Sequence, residues 1–157
     1  DFPGLNYRLS DINSALAYSQ LKKLKIFINQ RTLIAKKYIN YFKDKKEIYK
    51  IRYIDNLVNS SWHLFILNIN FKYIKKNKIK FLKYLLKNNI SGQQHYIPIY
   101  NFNFYKKIKK KNFPNSKIYF ENSVSLPIYF KLSDKQIKYI IKKIENFCKI
   151  NFKNKNE

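Results

Sequence analysis

An amide and a guanidinium group stand two residues apart near the start of the sequence, just ahead of a predicted helix. In the stretch G-L-N-Y-R-L-S-D-I, Asn6 and Arg8 flank Tyr7, and Ser10 with Asp11 forms a strong helix start. Side chains alternate in direction along an extended segment, so Asn6 and Arg8 are expected to point to the same side. Both groups, beside a helix N-terminus, suit a phosphate or a carboxylate. A local turn with a solvated arginine explains the same spacing, and the spacing alone leaves both interpretations open.

The two histidines of the sequence lie in different settings. His63 lies inside the apolar stretch W-H-L-F-I-L, which favours a core or interface histidine over a site residue. His95 lies in I-S-G-Q-Q-H-Y, where a predicted strand gives way to a loop. Because loops on rigid supports often carry function, His95 is either a site residue or a structural hydrogen-bonding residue.

Other common catalytic patterns are missing from the sequence. The nine carboxylates are scattered, no Cys/His spacing suits a metal, and Cys148 is the single cysteine, which excludes an internal disulfide. Gly4 and Gly92 are the only glycines, so a glycine-rich phosphate loop cannot form. The candidate chemistry therefore rests on the N-terminal pair and on His95.

Apolar periodicity predicts the elements that position these groups. A helix begins after Ser10 and runs to about Phe42, with a break near Asn29, and its length suggests that it spans a domain boundary or packs on a partner. Strands are predicted at 62–70 and 90–96, with a short strand within 44–61 and an extended piece at 125–129. The predicted buried faces of two later helices are Ile79, Leu82, Leu85 and Leu86, and Ile137, Ile140, Ile141, Ile144 and Phe147, with a short helix at 116–123 between them. This order of elements predicts a small α+β domain.

The formal net charge of +24 invites an alternative function, a lysine-rich module that binds nucleic acid or another polyanion. Its densest basic run is Lys106–Lys111. However, 30 of the 33 basic residues are lysine, and base-reading proteins favour arginine. Codon drift in an A/T-rich genome explains the composition without any such partner. With no apolar run of membrane-spanning length and no signal pattern, a cytoplasmic location is predicted.

Four blocks of the sequence, in order, resemble the DegT/DnrJ/StrS-type sugar aminotransferases. The stretch G-L-N-Y-R-L-S-D-I-N-S-A-L-A-Y-S-Q-L-K-K-L is similar to the N-Y-R block of that family, and I-S-G-Q-Q-H-Y-I-P-I-Y is similar to its H-Y-I-P-V-H block. The stretches S-S-W-H-L-F and F-P-N-S-K-I-Y-F-E-N-S-V-S-L-P-I-Y resemble two further blocks. The nearest likeness is to the branch that aminates UDP-4-keto-6-deoxy-N-acetylhexosamines.

The resemblance implies a fold-type-I enzyme that uses pyridoxal phosphate (PLP) and acts as a homodimer, without nucleic-acid or membrane partners. Such an enzyme moves an amino group from glutamate to a nucleotide-linked keto-sugar for surface-polysaccharide or glycan biosynthesis. Residues 1–43 would then be the end of a large domain and a long connecting helix. Residues 44–150 would be the small C-terminal α+β domain, and 151–157 a frayed tail.

The resemblance also assigns roles to individual residues. In that family the asparagine of the N-Y-R block crosses the dimer interface and bonds the PLP phosphate of the neighbouring subunit, a role that falls to Asn6. Arg8 is expected at the same interface, near the phosphate or the anionic groups of the substrate. His95 and Tyr96 are expected to line the substrate side.

The sequence departs from the family pattern at three points. Leu5 replaces an aromatic residue, and Tyr100 replaces the closing histidine of H-Y-I-P-V-H. The family's Schiff-base lysine, its pyridinium-pairing aspartate and its ring-stacking residue all correspond to positions before Asp1. The expectation is therefore a C-terminal portion of a longer enzyme that is inactive on its own.

Overall fold

A computed structural model of the chain describes residues 7–51, 60–105 and 113–149. In this part of the chain five α-helices and a three-stranded sheet form a small α+β unit, as the sequence predicts. The helices are α1 Asp11–Leu21, α2 Leu24–Phe42, α3 Lys78–Lys87, α4 Pro114–Asn122 and α5 Asp134–Cys148, and the strands are β1 Tyr49–Ile51, β2 Phe65–Ile69 and β3 Ser123–Leu126. A short 3₁₀ turn covers Ile99–Asn101.

The sheet is antiparallel throughout, with the order β1-β2-β3. Strand alternation places Phe65, Leu67 and Ile69 of β2 on one face, where they join the hydrophobic core. The register pairs Asn68 with Ser123 and Ile66 with Ser125, so the opposite face carries polar side chains. All four residues of β3 are buried, including its two serines.

The amphipathic pattern of α5 correctly predicts the four buried isoleucines, whereas Phe147 is only partly buried and Cys148 is buried. Ser133 caps the helix, and its side chain and that of Gln136 form a capping box. The buried residues of α5 join those of α2 and the sheet in one core, which includes Ile137, Ile140, Ile141, Ile144, Cys148, Ile34, Ala35, Tyr38 and Phe42.

The buried face of α3 differs from the predicted one. Phe81 and Leu85 are fully buried, whereas Ile79 and Leu86 are exposed. The predicted helix stop at Asn88-Asn89 is confirmed, because Asn89 has a φ of 57° and the amide of Ile90 bonds the carbonyl of Leu85 at 2.9 Å. Ile90 is buried where this turn ends.

The long N-terminal helix breaks at Lys22–Lys23 instead of near Asn29, and α2 continues unbroken to Phe42. Helix α1 has no buried residue, and its apolar Ile12 and Leu16 are 83% and 59% exposed. Of these two helices, only the second half of α2 contributes buried residues to the core. The domain boundaries predicted around this helix stay a prediction.

The predicted strand at 90–96 is wrong. The described residues there form a single β-bridge between Gln93 and Ser125, with backbone bonds of 2.8 and 3.1 Å. The reason is local: Ile90 is held in the turn that ends α3, and Gly92 lies so close to α3 that an added Cβ would be 2.8 Å from Cδ1 of Leu85. The pairing with β3 is therefore not continued on either side of the bridge.

None of the helices in the described ranges has the length and hydropathy needed to cross a membrane. The cytoplasmic location stays a prediction.

Candidate functional site

Of the two residues predicted to bind an anion, the structure describes Arg8. Asn6 lies outside the described residues. Arg8 is exposed, in the non-helical lead-in to α1, two residues before Ser10, whose Oγ accepts from the amide of Asn13 at 3.4 Å. Asp11 stands in the first turn, where a carboxylate already interacts favourably with the helix dipole. The exposed guanidinium of Arg8 can therefore bind an anion here. One backbone N–H at the N-terminus of α1 already donates to the Ser10 hydroxyl, and Asp11 already interacts with the helix dipole.

His95 is held by the sheet. It is half-buried, and its Nδ1 lies 2.7 Å from Oγ of Ser125 on β3. The backbone bridge between Gln93 and Ser125 fixes the loop that carries it. In the described part of the chain no hydrogen bond reaches the other ring nitrogen, Nε2. His95 therefore makes a structural hydrogen bond with one ring nitrogen. Its role as a site residue stays a prediction.

Tyr96 lies beside His95, as the sequence order requires, but it is 73% exposed. The two rings meet edge to face with centroids 4.6 Å apart. Tyr100, at the position of the family's closing histidine, stacks on Phe113 with centroids 5.3 Å apart. At the position where the family pattern has a histidine, this chain therefore has a tyrosine that stacks on a phenylalanine.

His63 is exposed, so the prediction of a core histidine is wrong; an interface position is untested. The apolar stretch that suggested burial begins before the strand does. Trp62 has a φ of 48°, and β2 starts only at Phe65, so the alternation of faces does not extend back to His63.

Sequence reasoning missed two residues with distinctive chemistry. Ser125 is 5% exposed and contacts His95. The sequence pattern predicts only that it lies in the extended S-L-P-I-Y segment. Lys78, at the start of α3, is half-buried with its ammonium 4.3 Å from the ring centroid of Phe120, and burial lowers its pKa to about 8. Nothing in a lysine-rich sequence distinguishes this lysine from its neighbours.

A protein-family comparison bears directly on these residues. Residues 1–145 match the model of the DegT/DnrJ/EryC1/StrS aminotransferase family. The chain belongs to that family. The match includes the N-Y-R block and the 92–96 loop, which belong to two of the four blocks that carry the resemblance.

Individual relatives agree with this assignment. A UDP-4-amino-4,6-dideoxy-N-acetyl-beta-L-altrosamine transaminase of Campylobacter jejuni is 34% identical over 139 residues, which cover 87% of this chain and 36% of that protein. The structure of Helicobacter pylori PseC, an aminotransferase involved in the biosynthesis of pseudoaminic acid, superposes with a TM-score of 0.81 at 28% identity and covers 93% of this chain and 39% of that one.

A third match is the PLP-form of a Streptococcus pneumoniae protein assigned as a sugar aminotransferase. It superposes with a TM-score of 0.79 at 26% identity, over 90% of this chain and 36% of that one. The chain therefore spans well under half the length of the relatives it matches. The predicted fold, the small α+β unit of a PLP-dependent aminotransferase, is confirmed, whereas the polyanion-binding alternative finds no support. Its lysine run, Lys106–Lys111, lies outside the described residues.

The family implies PLP, and the described residues fit part of such a site. Arg8 offers an exposed cation for a phosphate, and His95 offers Nε2, which bonds none of the residues in the described ranges. The ring of the cofactor needs a lysine and a carboxylate facing one cavity. Among the described residues, the three ion pairs Lys37–Asp134, Lys45–Glu145 and Lys117–Glu121 are at least partly solvent-exposed. Lys78 contacts α4, where its ammonium donates to the carbonyl of Phe120. These residues can contribute to a cofactor site but do not form one alone.

Proposed function

We propose that this chain is the small domain and connecting helix of a PLP-dependent sugar aminotransferase, which moves an amino group from glutamate to a nucleotide-linked keto-sugar in surface-polysaccharide or glycan biosynthesis. The observation that carries the proposal is the family match over residues 1–145. The 34% identity to a UDP-sugar transaminase supports the substrate class. PLP, when bound, supplies the electron sink for transamination.

The proposal gives Asn6 and Arg8 an anion-binding role across a dimer interface. Asn6 donates to the PLP phosphate of a neighbouring subunit, and Arg8 lies beside the phosphate or the anionic groups of the substrate. Two features of α1 and of the residues just before it support an interface here. Arg8 is solvent-exposed, and the apolar side chains of Ile12 and Leu16, which a partner surface would cover, are exposed as well.

His95 and Tyr96 bind the sugar in this proposal. Because Ser125 holds one ring nitrogen of His95, the imidazole can orient a sugar oxygen with the other. The exposed Tyr96 adds an aromatic ring and a hydroxyl on the same side. Since the described residues do not form a complete cofactor site, the 157-residue chain by itself is expected to be inactive.

The test is cofactor uptake by the protein as its gene encodes it, followed by transamination of a UDP-linked 4-keto sugar with glutamate. Arg8→Ala is expected to weaken phosphate-dependent PLP binding about 10-fold to 100-fold, the range for one charge-assisted hydrogen bond. Lys25→Ala is the control, because it removes one exposed positive charge from α2, outside the lead-in that carries Arg8. Absence of PLP uptake by the wild-type protein would refute the proposed function. Equal effects of the two substitutions would refute the role of Arg8.

A further inference from the structure

Ser125 is placed to control the imidazole of His95. Its backbone N–H and carbonyl both bond Gln93 of the 92–96 loop, and on the other side the sheet register places it opposite Ile66 of β2. The N–H of Ser125 donates to the carbonyl of Gln93 at 2.8 Å, and the N–H of Gln93 donates back at 3.1 Å. The side chain then reaches Nδ1 of His95 at 2.7 Å. One buried residue therefore holds both the loop and the ring that the loop carries.

Hydrogen-bond accounting favours one direction for this bond. Ser125 is 5% exposed, and in the described part of the chain Nδ1 of His95 is the one hydrogen-bond partner of its hydroxyl. If Nδ1–H donated to Oγ, the hydroxyl proton would be buried without an acceptor, which is costly. If the hydroxyl donates to Nδ1, it is satisfied by this single bond. Neutral His95 then carries its proton on Nε2.

We propose that Ser125 is a positioning residue that donates to Nδ1 of His95, fixes the orientation of the ring and holds it in the Nε2–H tautomer. His95 then presents an N–H donor, which suits an oxygen acceptor of the sugar, such as a keto or hydroxyl oxygen. The substrate part of this inference rests on the function proposed above. The tautomer and the bond do not depend on it.

The structure offers a closely matched control in Ser123. Both serines lie on β3, two residues apart and on the same face of the sheet, and both are at most 5% exposed. Among the residues that the structure describes, Oγ of Ser123 has no hydrogen-bond partner, whereas Oγ of Ser125 bonds His95. Ser123→Ala and Ser125→Ala therefore each remove one buried hydroxyl from β3. Only Ser125→Ala also removes the hydrogen bond to the imidazole of His95.

The first experiment measures the ¹⁵N chemical shifts of the histidine ring in the ¹⁵N-histidine-labelled protein as its gene encodes it, with His95→Gln to assign the signals. At a pH where His95 is neutral, the wild type is expected to show a protonated Nε2 and an unprotonated Nδ1. Ser125→Ala should move both signals towards a mixture of tautomers, whereas Ser123→Ala and Ser125→Thr should not. The opposite wild-type tautomer, or unchanged signals in Ser125→Ala, would overturn the proposal. Ser125→Cys keeps the side-chain volume and weakens the bond, and it replaces the alanine variant if that variant does not fold.

The second experiment measures kcat/KM for transamination in the same variants. Ser125→Ala is expected to lower it about tenfold, as expected when one hydrogen bond of ordinary strength is lost, and Ser125→Thr should restore it. A shift in tautomer without any fall in kcat/KM would overturn the positioning role. A wild-type protein that does not transaminate would refute the proposed function while leaving the tautomer result intact, so the two failures are distinguishable.

Discussion

Replacing Tyr38 by phenylalanine tests how α2 is held to the segment that follows β3. Tyr38 is fully buried on α2, and its hydroxyl donates to the carbonyl of Pro127 at 3.1 Å, directly after β3. Its ring lies 4.9 Å from that of Phe65, centroid to centroid. Tyr38→Phe keeps the ring and its packing but removes the bond between α2 and the end of β3.

The size of the effect follows from the burial of the two partners. A neutral hydrogen bond contributes about 1 kcal/mol net, and a buried acceptor that loses its donor adds to the loss. Because Pro127 is only half-buried, water can partly replace the donor, and we expect the free energy of unfolding to fall by about 1–1.5 kcal/mol. Tyr38→Ala should cost about 3–5 kcal/mol, because it also leaves a cavity beside Phe65.

Urea denaturation followed by the fluorescence of Trp62 measures this difference, since Trp62 packs 6.1 Å from Phe65, centroid to centroid. For an m-value of about 2 kcal/mol per M, the midpoint of Tyr38→Phe should fall by roughly 0.5–0.75 M. Tyr41→Phe, on the exposed side of the same helix, should change the midpoint little. Equal losses in the two variants, or no loss in Tyr38→Phe, would show that the bond to Pro127 does not stabilise the fold.

Alkaline pH provides an independent check on the same residue. Burial, with a smaller contribution from Tyr129, raises the pKa of Tyr38 above its ordinary value. Above about pH 10 the unfolded state therefore loses this proton while the native state keeps it, so the stability falls as the pH rises. Tyr38→Phe should reduce that alkaline loss. An unchanged slope above pH 10 would contradict the assigned burial.

Two further predictions concern Lys78 and Cys148. Burial lowers the pKa of Lys78 to about 8, so between pH 8 and its ordinary value the unfolded state binds more protons and stability rises with pH. Lys78→Met should flatten this rise in denaturation curves, whereas the exposed Lys80→Met should not, and equal slopes would contradict the prediction. Burial also raises the pKa of the Cys148 thiol to about 11, so a thiol reagent at pH 8 should label it only after unfolding. Rapid labelling of the native protein would show that the end of α5 is open.

Local rules predicted the helix ends well. Ser10 and Ser133 cap helices as expected, α2 ends at the predicted Phe42, and Asn89 ends α3 in the left-handed conformation. These features depend on neighbouring residues in the chain. The buried face of α5 also followed from its spacing, because strongly periodic apolar residues leave one way to bury them.

Predictions that depended on distant contacts were less successful. Phe81 replaced Ile79 and Leu86 in the core, because the neighbours of α3 decide which side of a lysine-rich helix is covered. The strand expected at 90–96 became one bridge to Ser125, because Gly92 is drawn against Leu85. No local pattern contains that information.

The sequence by itself determined the family, the class of fold and the identity of the candidate residues Asn6, Arg8, His95 and Tyr96. Family motifs and apolar periodicity can be recognised in this way because they are patterns of residues that are close together in the chain. Only the tertiary structure decided how His95 is held. Ser125 lies 30 positions away in the chain and reaches the imidazole through the sheet. A hydrogen bond between distant residues is set by the packing of strands and loops, and that packing is a property of the folded chain.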